Sequence, residues 1–101
     1  MWSDYKKSKS IWERLFGGPV ILKDEEHISG ARVTLEQKRG SIPFEITCGV
    51  YGTFFHTVFS SSQSEAEEKY DKIKSEISRL FEIEQSDEEF YEWIEQFTSK
   101  Y

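Results

Sequence analysis

The sequence holds one cysteine, Cys48, among 101 residues. No disulfide framework is possible, so folding does not call for an oxidising compartment. It holds two histidines, His27 and His56, and no H-x-x-x-H or C-x-x-C pattern. The one metal-type grouping, His27 and His56 with Asp24–Glu26, lacks ligand spacing, so no metal and no cofactor is expected. No apolar run approaches the ~20 residues that cross a bilayer. The opening MWSDYKKSKS lacks the apolar centre of a signal peptide. These absences predict a soluble cytoplasmic protein with no membrane partner. Glycine is scarce where phosphate chemistry needs it. Gly17-Gly18 precede a strand, and Gly49 and Gly52 sit in a hairpin, so neither pair opens a helix to cradle phosphate.

What is present is charge and aromatic bulk. Charged residues make up 32% and aromatics 16%, too aromatic for a disordered chain. Domains run to about 100–150 residues, which predicts one α+β domain over 1–101, with residues 1–9 fraying. The net charge of −6 is uneven: residues 1–60 carry +1 and residues 61–101 carry −7. Such an acidic half repels phosphate backbones and predicts no binding to nucleic acid.

Periodicity gives the elements. Ser10 and Glu13 have capping-box spacing ahead of Trp12, Leu15 and Phe16, which predicts a short N-terminal helix stopped by Gly17-Gly18-Pro19. Val20–Lys23 is a short edge strand, and Asp24–His27 reads as a charged loop. Residues 31–37 alternate, with Val33 and Leu35 on one side and Arg32, Thr34 and Glu36 on the other. Residues 43–50 continue with Phe44, Ile46 and Cys48 inward and Glu45 and Thr47 outward. A turn in Gly49–Gly52 leads to a strand over 53–60. A two-residue turn, in either of two registers, puts Thr53, Phe55, Thr57 and Phe59 on the core face and Phe54, His56 and Val58 on the opposite face. Ala66, Tyr70, Ile73, Ile77 and Leu80 form a helical stripe over 64–84. Phe90, Ile94, Phe97 and Tyr101 form another over 87–99, with Ser86/Glu89 as a capping box. The architecture expected is a two-layer α+β domain: a short helix, an antiparallel sheet of three to four strands, then two antiparallel helices on one sheet face. The order of helix, three strands and helix is similar to double-stranded RNA-binding domains, which rely on lysines where the last helix starts. Here that place reads Ser64-Glu65-Ala66-Glu67-Glu68, so the likeness ends at element order.

The chemistry is sparse. With Cys48 inward and His56 outward, a Cys–His dyad is excluded by facing, and no catalytic residue is assigned. The sequence favours a non-enzymatic protein-interaction module, in the manner of an inhibitor or immunity protein with an acidic surface for a basic partner. Its candidate contacts are Phe54, His56 and Val58 on the back of the sheet, beside Arg32 and Glu45. Tyr91 and Trp93 lie off the last helix's stripe and are further candidates. Glu68, Asp71 and Glu92 form the candidate acidic surface. A homodimer through the sheet back is expected from Phe54 and Val58, unless Trp2, Tyr5 and Trp12 fold across that face. The alternative is a small-molecule binder or modest enzyme whose site joins His56, Arg32 and Glu45.

Overall fold

A computed structural model describes residues 2–4, 20–38 and 42–101. The N-terminal helix expected around Ser10–Phe16 lies outside the described residues. Among the described residues five strands form one antiparallel meander in chain order: β1 Trp2–Asp4, β2 Val20–His27, β3 Ala31–Gln37, β4 Phe44–Val50 and β5 Phe54–Ser60. Two helices follow, α1 Gln63–Glu82 and α2 Asp87–Lys100. The class is α+β as expected, but the sheet has five strands rather than three or four. Residues 2–4, expected to fray, are a strand whose Trp2 pairs with His27.

β2 does not stop at Lys23. Its charges continue the strand because each acid finds a partner across a neighbouring element. Asp24 takes a two-pronged ion pair from Arg32, at 2.9 and 2.7 Å, and a 3.1 Å hydrogen bond from the Thr34 hydroxyl. Glu25 accepts from Lys74 at 2.9 and 2.8 Å and from the Tyr70 hydroxyl at 2.9 Å. Glu26 accepts from the Tyr51 hydroxyl. Charge reads as loop only while its partners are unknown.

The core lies between the sheet and α1. Val33, Leu35 and Ile46 meet the α1 stripe Ala66, Tyr70, Ile73, Ile77 and Leu80, all at most 4% exposed. Ser62 caps α1 by accepting from the Glu65 amide at 3.3 Å, and Ser86 with Glu89 forms the full capping box of α2. Both helices thus begin where a serine hydroxyl satisfies a free backbone donor, and in α2 the Glu89 carboxylate satisfies a second.

The facing of β5 is the reverse of the expectation. Val50 pairs with Phe54, Cys48 with His56 and Ile46 with Val58. The loop is Tyr51-Gly52-Thr53, three residues rather than two. Its turn closes with the Thr53 amide on Val50 O at 3.1 Å and has Gly52 at φ 76°, the left-handed position a type II turn gives to glycine. One extra loop residue moves every β5 side chain to the other face. Phe54, His56 and Val58 lie under the helices, and Phe55 and Phe59 stand on the open face, 69% and 53% exposed.

Candidate interaction surface

The helix-covered face is filled. Trp93 and Phe97 of α2 stack at 4.8 Å, Phe54 meets both ring edges at 5.9 Å, and His56 meets Phe97 at 6.2 Å. Trp93 is therefore part of the packing and not a free anchor. It lies off the Phe90/Ile94/Phe97 stripe, yet helix and sheet leave a wider seam than one stripe fills. Tyr91 stays on the surface, 69% exposed, with its ring against Phe90. Trp2 also belongs to this side: its indole N–H donates to Ser78 Oγ at 2.7 Å and its ring meets His27 edge-on. It does not cover the open face. Tyr5 and Trp12 lie outside the described residues.

The site expected from His56, Arg32 and Glu45 does not form. His56 faces the helices, whereas Arg32 and Glu45 lie on the opposite face of the sheet. Arg32 is held by Asp24, and Glu45 by Lys38. Cys48 and His56 are cross-strand partners on one face, so the facing argument against a dyad fails. Other chemistry stands against it. The Cys48 S–H points to His56 backbone O at 3.5 Å, and burial pushes the thiol up to about 12. His56 Nε2 is buried with no hydrogen-bond partner among the described residues. His27 and His56 sit three strands apart, roughly 14 Å, too far to share a metal. Among the described residues no three His, Cys, Asp or Glu groups gather to hold one.

The acidic candidates are dispersed. Glu68 pairs with Lys72 along α1 at 3.5 Å. Asp71 borders a shallow groove of about 590 Å³ with Trp2, Lys74 and Arg79. Glu92 borders a separate one of about 560 Å³ with Glu95 and Lys100. A third hollow, about 440 Å³, lies at the β2–β3 turn beside His27 and Tyr51. No helix among the described residues is long and apolar enough to cross a membrane.

The open face is different. Phe55 lies against Gly49 of β4, where a Cβ would stand 2.5 Å from the ring and 2.6 Å from Phe54 O. Glycine there lets the ring lie flat over the backbone. Phe59 is four residues along on the same face, so both rings line the outermost strand of the sheet. A sequence signal for this surface was available: residues 46–64 hold no Asp, Glu, Lys or Arg, and no other uncharged run exceeds eight residues. No protein-family model, curated protein or solved structure matches the chain.

Proposed function

We propose that the protein is a non-enzymatic interaction module whose contact surface is β5, through Phe55, Phe59 and the strand edge that no other described strand pairs. The observation that carries this is two large apolar side chains exposed on an uncharged edge strand in a chain that is 32% charged. Edge strands usually carry charge or proline to prevent pairing. β5 carries neither; its guard is Lys69, whose ammonium donates to Phe59 O at 3.2 Å. The acidic helices lie on the other side of the sheet. They serve solubility and repulsion of nucleic acid, and the partner is a protein.

A photo-crosslinking amino acid at position 55 or 59, introduced in the cell of origin, tests the surface. The expected result is one discrete adduct from either position and none from position 68, on the outer side of α1. Absence of an adduct from both 55 and 59 overturns the reading.

A further inference from the structure

Lys69 reaches Phe59 O from outside the β4–β5 pair. In an antiparallel strand, alternate residues turn both backbone groups to the same side. Phe55, Thr57 and Phe59 therefore direct their N–H and C=O groups away from β4, along the edge that no other described strand pairs. Thr57 is the middle residue of β5. An antiparallel strand centred on Thr57 would meet all three outward pairs of groups.

We infer that this strand is β5 of a second copy, giving a two-fold dimer with one continuous ten-stranded sheet; the inference rests on the reading of β5 as the contact surface. Three observations single out a second copy. First, the register is self-complementary. Thr57 meets Thr57 of the other copy, and each Phe55 stands opposite a Phe59, so all four exposed rings join on the open face. Second, the chain carries −6, and two equally charged copies meet with least repulsion across the 19 uncharged residues 46–64. Third, the area fits an edge contact. The exposed parts of the two rings amount to roughly 250 Å² per copy, well short of the ~800 Å² per partner of a stable interface. Face-to-face stacking of the rings would not suffice, whereas a strand about 24 Å long adds backbone hydrogen bonds along its length. Lys69 need not leave, because a carbonyl oxygen accepts two hydrogen bonds. An interface below the standard size belongs with weak, reversible associations.

Sedimentation equilibrium of the full chain, up to about 100 μM, reads the association. The expected mass rises toward twice 12.0 kDa with concentration. F55K/F59K and F55E/F59E chains, each alone, put like charges opposite one another and weaken the dimer about tenfold or more. Mixing the two restores a heterodimer, because position 55 faces position 59. T57P removes the central outward N–H, which a fold with that strand at its edge tolerates, and also lowers the association. Should T57P fail to fold, the mixing experiment still decides. A wild-type chain that stays at 12.0 kDa throughout, or charged chains that dimerise as well as wild type, overturns the inference. The broader reading fails separately, by loss of any adduct at positions 55 and 59; an adduct of another mass there refutes the second copy and keeps the surface.

Discussion

Gly49 shows how much one residue decides at the open face. A methyl group there meets the Phe55 ring at 2.5 Å and the Phe54 carbonyl at 2.6 Å, and the backbone oxygen cannot swing away. Gly49→Ala is expected to cost about 1–3 kcal/mol and to tilt Phe55 off the sheet. A denaturation midpoint and the ring's NMR shifts check both effects. The facing of β5 has its own test. Val58, 3% exposed, packs in the core, whereas Phe55 is 69% exposed. Val58→Ala is expected to cost about 1–3 kcal/mol, while Phe55→Ala stays within about 0.5 kcal/mol. Urea unfolding of the two variants below the dimerisation range measures this; equal losses would contradict the register. Glu25 is a third case. Burial alone would raise its carboxyl, but hydrogen bonds from Lys74 and Tyr70 outweigh it and hold it below the usual 4.5. Its contribution to stability is present above that value and lost as pH falls through the folded one.

Among the elements, β1 is the one most dependent on side chains. Three residues of pairing hold little, and the strand is fastened by the Trp2–Ser78 hydrogen bond and by a ring series in which Trp2 meets His27 and His27 stacks on Phe81 at 4.8 Å. His27 is 6% exposed, and burial lowers its pKa below 6.5, with Glu82 opposing. Its Nδ1 accepts from the Ser29 amide at 3.0 Å, so that nitrogen carries no proton in the fold. Protonation breaks this hydrogen bond and charges a buried ring. The folded pKa is depressed, so the stabilisation is complete above about 6.5 and is lost as pH falls below it toward the folded value. Thermal midpoints between about pH 8 and 5.5 are expected to fall, and His27→Phe, which keeps the stack, flattens that slope above the window of Glu25. A slope unchanged in His27→Phe would assign the titration elsewhere.

For the whole molecule, charge sets how copies and other polymers approach. With −7 on residues 61–101, gel shifts at ~150 mM salt are expected to show no binding to DNA or RNA. The same charge opposes self-association at low salt. Changing Glu68, Asp71 and Glu92 together to Lys brings the formal net charge from −6 to zero. These positions are exposed, so the fold should persist. Wild-type association is expected to tighten from about 10 to 150 mM salt, as the Debye length shrinks from about 30 to 8 Å, and the triple variant to lose that dependence. Sedimentation at the two salt concentrations decides it.

The stripe of α1, the Ser86/Glu89 capping box, the alternation of β3 and β4 and the α+β order were legible in the sequence because they depend on local spacing. Ala66, Tyr70, Ile73, Ile77 and Leu80 recur at helical steps whatever they pack against, and all five are buried. Three matters were decided only by tertiary structure. The acids of Asp24–Glu26 became strand because Arg32 across the hairpin, and Tyr51 and Lys74 from farther along the chain, arrived to pair them. Trp93 left the candidate contacts because Phe54 and Phe97 enclose it. The facing of β5 turned on a single loop residue. The alternation of Phe54–Phe59 offers phenylalanine to both faces, so hydrophobicity alone could not choose between them. The three-residue turn at Gly52 chose, sending Phe54 and Val58 beneath the helices and leaving Phe55 and Phe59 to the open face, because strand side chains alternate with a period of two and one added residue inverts them all.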